Sequence, residues 1–267
     1  MHDSHQGMRH LKTSAILVSV ARGYKHATNP VSFIARTFIK QCGLLLSDGD
    51  FVTRTCLDIG AGTAPYAQTL RQYMGVERYI ALDIAPSEST SVVADCAQLP
   101  FTSASIDLIV SFDVIQHVPS PHAMLTEAHR VLRGGGHIIL TYPFLYPECD
   151  VRDFHRWTVE GMHEALVAHG FEIVRARRRG GALFAWVCWV IWMIQHLVPG
   201  QRQSWRARRN LGSYLRAGVL AALTLPVELL GWIALGLDRV LPSQGMYMGA
   251  CVLARKTLDT KADGAPR

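Results

Sequence analysis

The sequence predicts a doubly wound α/β fold with a mostly parallel sheet, and three observations carry that prediction. Short apolar runs separated by turn residues begin at Cys56, and several are nearly continuous in apolar character, as strands covered on both faces of a parallel sheet are. Helical stretches fall between these runs, giving a largely alternating order of strand and helix. With 267 residues, 49% of them hydrophobic, the chain can close one α/β core and still carry an appendage.

Taken in order, residues 1–30 are polar and punctuated by Gly23 and Pro30, and are expected to form a flexible arm. From Val31 the apolar residues Ile34, Phe38, Cys42 and Leu45 recur at steps of three and four, which predicts an amphipathic helix before the first strand. Six strands are then expected at Cys56 to Ile59, Tyr79 to Ile84, Ser91 to Ala94, Ile106 to Phe112, His137 to Tyr142 and Phe171 to Arg175. A seventh is expected at Tyr247 to Ala254. The helices between them are Ala64 to Tyr73, Pro121 to Leu132 and Val159 to His169. Gly134 to Gly136 are read as the stop of the second helix, Thr158 as the cap of the third and Gly170 as its end. The expected organisation is a main domain over 31–179, completed by a last strand within 246–256, with a hydrophobic insertion at 180–245 and a polar tail at 257–267.

Leu57-Asp58-Ile59-Gly60-Ala61-Gly62-Thr63 sits where the first strand turns into the first helix. Asp83 ends the next strand at the spacing expected of a ribose-binding acid. Glycine suits such a turn because a Cβ would hold a ligand off the backbone and because positive φ costs glycine little. The third glycine of a dinucleotide fingerprint is missing, with Ala64-Pro65 following instead. That glycine serves close packing where pyrophosphate meets the helix start. S-adenosylmethionine (SAM) has no phosphate, so the departure favours SAM over NAD.

Leu57 to Gly62 resembles motif I of the class I SAM-dependent methyltransferases. The likeness continues through Leu82-Asp83, Ala94 to Phe101, Ile106 to Ile109, Asp113 to Val118 and Glu127 to Gly136, in the order and spacing of the type 11 group. It covers about a third of the chain. The resemblance implies a Rossmann-like, seven-stranded sheet and SAM as cofactor. It places Asp58, Gly60 and Gly62 at the methionine part, Asp83 at the ribose, Asp95 and Cys96 at the adenine, and Ser111 and Phe112 near the sulfonium, with Ala61 and Ile84 also among the cofactor-binding residues. A non-catalytic SAM-fold scaffold on a membrane is the alternative outside enzymes, and intact Asp58, Gly60, Gly62 and Asp83 argue against lost cofactor binding in it.

For a hydroxyl acceptor a base must take a proton, and Asp113 and His117, after the fourth strand, are the candidates, with His117 preferred. Loops at the carboxyl ends of strands line the crevice of open α/β sheets. Tyr142, Asp153, His155 and Arg156 are accordingly candidate acceptor-binding residues, although Arg156 could instead pair locally. No Cys/His grouping has metal-ligand spacing, and the six scattered cysteines suit a reducing compartment.

The insertion sets the expected partner. Ala182 to Ile194 is almost wholly apolar and holds Trp186, Trp189 and Trp192; Leu215 to Leu241 is again mostly apolar, broken by Pro226, Glu228 and Asp238. Between them Arg202, Arg206, Arg208 and Arg209 surround Trp205, and Arg175, Arg177, Arg178 and Arg179 precede the whole segment. A spanning helix needs about 20 apolar residues, so a shallow helical hairpin on an anionic membrane surface fits better than two crossings. The rival is a buried helical cap. A net charge of +6 suits anionic lipid, and nucleic acid ranks below it because the arginines lie beside tryptophan-rich apolar runs. The expectation is a cytoplasmic protein, peripheral or monotopic on the inner face of the plasma membrane. Its expected acceptor is lipid-linked or membrane-delivered, with a quinone-type or other small molecule as the alternative, and the sequence leaves the oligomeric state open.

Overall fold

The computed structural model describes residues 36–40, 53–148, 152–197, 229–241 and 245–257. The expected arm, most of the tail and the basic stretch from Arg202 to Arg209 lie outside the described residues. The element order is β1 (Thr55–Ile59), α1 (Ala67–Met74), β2 (Arg78–Asp83), β3 (Val92–Val93), β4 (Ile106–Phe112), a 3-10 turn (Ile115–His117), α2 (Pro121–Val131), β5 (Leu132–Pro143), α3 (Val159–Ala168), β6 (Phe171–Arg179), α4 (Ala182–Leu197) and β7 (Gly249–Lys256). The seven strands form one sheet in the order β3-β2-β1-β4-β5-β7-β6. All pairings from β3 to β5 are parallel, and β7 is antiparallel to both β5 and β6. The fold class read from the sequence is therefore the observed one.

Each face of the sheet has its own core. Leu57, Ile59, Ile109, Leu140 and Val252 meet Met124, Leu125 and Ala128 of α2 and Met162 and Leu166 of α3. Cys56, Leu108, Val110, Ile139 and Leu253 meet Leu70 and Met74 of α1 together with Phe38 and Ile39, which belong to a helical segment at 36–40. Strands buried on both faces explain the continuous apolar runs. The chain moves outward from β1 in opposite directions towards β2 and β4, so the switch point lies between β1 and β4, where a ligand crevice forms beyond the carboxyl ends.

Several boundaries differ from the expected ones for physical reasons. The second helix stops at Val131 because Leu132 is already extended, with ψ 139°, and Gly134 to Gly136 lie inside β5. A Cβ on Gly136 would sit 2.9 Å from the Arg133 carbonyl oxygen and 3.1 Å from that of Asp107, so this glycine serves close backbone approach. The pairing of β4 with β5 shifts register in the same region, between Ile106 and Leu108. Thr158 caps α3 as expected, its hydroxyl accepting from Gly161 N at 2.9 Å, and Gly170 follows the helix with φ 80°. The final strand pairs with β6 as expected, but it does so by inserting between β5 and β6.

Among the described residues two helices stand between β6 and β7, α4 and a helical segment at 229–237. Phe184, Ala185 and Cys188 pack with Ala234 and Met248 in a small cluster of their own. Asp238 holds the pair together: its carboxylate accepts from Gly181 N at 2.8 Å, Leu183 N at 3.1 Å and Phe184 N at 3.0 Å, capping the start of α4 from a distant point of the chain. Among the described residues no helix is long and apolar enough to cross a membrane.

Candidate active site

The turn after β1 is pinned to the end of β2. Gly60 N and Ala61 N both donate to the Leu82 carbonyl, at 2.8 and 3.0 Å. The two glycines serve different needs. Gly60, with φ 72°, lies where a Cβ would strike the Val114 side chain, whereas a Cβ on Gly62, with φ 54°, would enter open space. Gly62 N donates to Asp83 Oδ2 at 3.0 Å, Ala85 N donates to Asp83 Oδ1 at 3.1 Å, and the Ser87 hydroxyl donates to the Gly62 carbonyl at 3.0 Å. The Asp83 carboxylate is thus fixed at the mouth of the turn and half-exposed. Each of its oxygens retains accepting capacity for a sugar hydroxyl. Beside it Ile84 is 62% exposed, an apolar side chain that a flat base or sugar would cover.

Asp58 is buried in β1 and accepts a hydrogen bond from the Tyr79 hydroxyl. Burial is the main cause pushing its carboxyl up to about 7, with the Tyr79 hydrogen bond opposing and the Asp83 charge reinforcing the rise. Asp95 is exposed and its Oδ1 accepts from Ala97 N at 2.9 Å, closing a tight turn around Cys96. The Cys96 thiol is half-buried and pushed up to about 11, first by burial and then by the Asp95 charge. Open space at Gly62, a fixed carboxylate at Asp83 and an uncovered Ile84 fit an adenosine-bearing ligand.

At the end of β4, Ser111 is fully buried and its hydroxyl has no hydrogen-bond partner among the described residues, while Phe112 packs on Tyr66 with ring centroids 4.4 Å apart. Asp113 adopts φ 55°, a left-handed conformation rare for a non-glycine residue and frequent at functional sites. Its N–H donates to the Thr141 carbonyl and hydroxyl, both at 3.0 Å. Its carboxylate oxygens accept from the guanidinium of Arg179 at 2.8 and 2.5 Å. Arg179 ends β6 and is 2% exposed, its guanidinium lying over Gly249, where a Cβ would come within 2.9 Å of Nη2. The ion pair therefore straps the end of β4 to the end of β6 across the strands between them.

His117 closes the 3-10 turn with Nδ1 2.9 Å from the Arg152 carbonyl oxygen. A carbonyl can only accept, so Nδ1 carries a proton, and in the neutral ring the lone pair is on Nε2. The Gln116 carbonyl accepts from Phe154 N at 2.8 Å and His155 N at 3.3 Å, joining this turn to the segment after β5. In that segment Arg156 pairs with the buried carboxylate of Asp153 and also donates to the carbonyls of Tyr146 and His155. The local pairing weighed for Arg156 is the one found. His155 is half-buried, and Tyr142 is wholly buried in the core, with its phenol shifted upward mainly by burial. The structure thus gathers Asp58, the glycine turn, Asp83 and Asp113 at one edge of the sheet and leaves Tyr142 beneath it.

The residue that sequence reasoning missed is Arg179. In the sequence it stands in a run with Arg175, Arg177 and Arg178 ahead of the apolar segment, yet it is the buried partner of Asp113. The available signal was Gly249, a glycine at the start of the last strand, but its meaning needs the strand order.

Comparison with known proteins agrees with this geometry. Residues 57–140 match the family model described as Methyltransferase domain. An uncharacterized methyltransferase of Mycobacterium sp. (strain JLS) is 36% identical over 97 residues, covering 33% of this chain and 38% of that protein. One from Mycobacterium tuberculosis (strain ATCC 25177 / H37Ra) is 34% identical over 103 residues, covering 34% and 40%. The chain spans about two-fifths of the curated relatives it matches. A solved structure from Galdieria sulphuraria, provisionally described as a sarcosine dimethylglycine methyltransferase, superposes with a TM-score of 0.56 at 19% identity, covering 85% of each chain, and shares the fold. The segment from Leu57 to Leu140 is a class I SAM-dependent methyltransferase domain of the type 11 group. S-adenosylmethionine is the cofactor this family uses.

Proposed function

We propose that the chain methylates an oxygen of a lipid-linked or otherwise membrane-delivered acceptor, working at an anionic membrane surface. When bound, SAM supplies a methyl group already activated on its sulfonium, so the protein's task is mainly alignment and proton removal. With SAM in place, its sulfonium would supply the methyl group to the acceptor oxygen, and Nε2 of His117 would take the hydroxyl proton. The single observation favouring this role is the Arg152 carbonyl at Nδ1, which fixes the tautomer a base requires.

The membrane reading rests on apolar surface beside the site. Leu183, Trp186, Trp189 and Met193 of α4 are exposed, as are Leu229, Ile233 and Leu237 of the neighbouring helix, and α4 starts directly after Arg179 and two glycines. Arg177 and Arg178 lie exposed on the adjoining edge strand, a charge arrangement that suits anionic headgroups. Exposed apolar side chains gathered on neighbouring helices support an interaction surface there.

Three measurements test the proposal. Titration calorimetry with SAM and with NAD should show binding to SAM, and binding to NAD alone would overturn the cofactor assignment. Sedimentation with anionic phospholipid vesicles should carry down the full chain but not a variant lacking residues 182–241; equal recovery of both counts against membrane docking. Incubation with methyl-labelled SAM and a lipid extract should transfer label to the organic phase, whereas label only in water-soluble products favours a small-molecule acceptor and no transfer favours a scaffold.

A further inference from the structure

We propose that Glu127 and Arg130 on α2 are positioning residues for cofactor binding, acting as a clamp on the loop that carries Asp95 and Cys96; this rests on the methyltransferase reading of the site. The loop runs from the end of β3 at Val93 to the start of β4 at Ile106 without regular structure, so its backbone groups must find partners elsewhere. Two side chains supply three of them. Glu127 Oε2 accepts from Leu99 N at 2.8 Å, Arg130 Nη2 donates to the Leu99 carbonyl at 3.0 Å, and Arg130 Nη1 donates to the Phe101 carbonyl at 2.8 Å. Arg130 Nε and Nη2 also grip the Glu127 carboxylate, at 2.6 and 2.8 Å.

As an ion pair these residues contribute little, because both side chains are partly exposed, at 36% for Arg130 and 19% for Glu127. Their geometry is what matters. A planar guanidinium can hold a carboxylate and two carbonyls in fixed directions together, and a lysine ammonium cannot. The other end of the loop is pinned by Ala94 N donating to the Asp83 carbonyl at 3.1 Å. Between the pins, Ala97 N and Gln98 N both return to Asp95, so the Asp95–Cys96 turn is a small closed unit suspended between Asp83 and the clamp. The ribose acid and the adenine turn are thereby spaced before ligand arrives, which lowers the ordering cost of binding.

The test uses the full chain, with SAM and with 5′-methylthioadenosine, which keeps adenine and ribose but lacks the amino-acid end. Arg130→Lys and Glu127→Gln should each weaken both ligands about tenfold, since the lost contacts act on the adenosine end. Alkylation of Cys96, mapped by mass spectrometry, should run several-fold faster in each variant without ligand, and protection should need more SAM. Glu127→Gln keeps an oxygen for Leu99 N and carries the test should Arg130→Lys not fold. If the unaltered chain binds neither ligand, the methyltransferase reading fails. If it binds both and the folded variants bind equally well with unchanged Cys96 labelling, the clamp is overturned.

Discussion

The Asp113 carboxylate and the Arg179 guanidinium, 66 residues apart, meet through two hydrogen bonds above the edge of the sheet, with Arg179 only 2% exposed. Removing one partner leaves a charge stranded. Asp113→Asn and Arg179→Met should each lower stability by roughly 2–4 kcal/mol, at the low end for a buried pair because the Asp113 side chain is one-third exposed. Urea unfolding of the two single variants and the double variant measures it, and strictly additive losses would show that the pair does not act as a unit. Gly249→Ala should also destabilise the chain, since a Cβ there would lie 2.4 Å from the Tyr142 carbonyl oxygen as well as 2.9 Å from Arg179 Nη2.

The two glycines of the first turn should separate in their effects. Gly60→Ala meets the Val114 side chain and a positive φ together, which predicts a loss of about 2–4 kcal/mol. Gly62→Ala meets only the positive φ and should cost about 1–2 kcal/mol. Adding Val114→Ala to Gly60→Ala should recover part of its loss and do nothing for Gly62→Ala; thermal unfolding of the four proteins decides.

Asp83→Ala should leave the chain folded and weaken SAM binding about 10- to 100-fold, the range expected for losing hydrogen bonds to a charged acceptor. The carboxylate also holds Gly62 N and Ala85 N, so Asp83→Asn, which can keep one of those bonds, should fall between. Undiminished affinity in calorimetry would remove Asp83 from the site.

Asp58 makes stability depend on pH in a defined sense. Its carboxyl sits at about 7 in the folded chain against an ordinary value of 3.8, so between these values the folded state keeps a proton that the unfolded chain has released. Its contribution is fully present below 3.8, is lost as pH rises towards about 7, and is level above that. Asp58→Asn should flatten this part of the stability profile. Tyr79→Phe, which removes the hydrogen bond that holds the value down, should extend the decline to higher pH. Parallel profiles for the unaltered chain and Asp58→Asn would contradict the assignment.

Asp238→Ala should loosen α4, because three N–H groups at its start lose their acceptor together. A loss of about 1–2 kcal/mol is expected, with hydrogen exchange accelerating over 181–190 before the sheet is affected.

What could be read without coordinates was what depends on neighbours in sequence. Strands covered on both faces are continuous apolar runs, and Gly60, Gly62 and Asp83 are local turn chemistry at a fixed spacing. Thr158 and Gly170 are helix punctuation of the same short range. What was hidden depends on partners far along the chain. Arg179 looks like Arg175, Arg177 and Arg178 until the strand order brings Gly249 beside it and Asp113 above it. Asp238 looked like a flaw in an apolar run and is instead the cap of a helix that begins 56 residues earlier. Gly134 to Gly136 looked like a helix stop because glycine there is a local signal, whereas Gly136 answers to the carbonyl of Asp107 on β4.

The contact of Asp238 with Gly181 means that the chain departs from the sheet and comes home through a single doorway. A detour closed at its base in this way can lengthen, shorten or change character at small cost to the fold that bears it. The tryptophan-bearing helices are therefore a replaceable fitting, and swapping the span between those two residues for a plain polar hairpin should yield a chain that still assembles its seven strands.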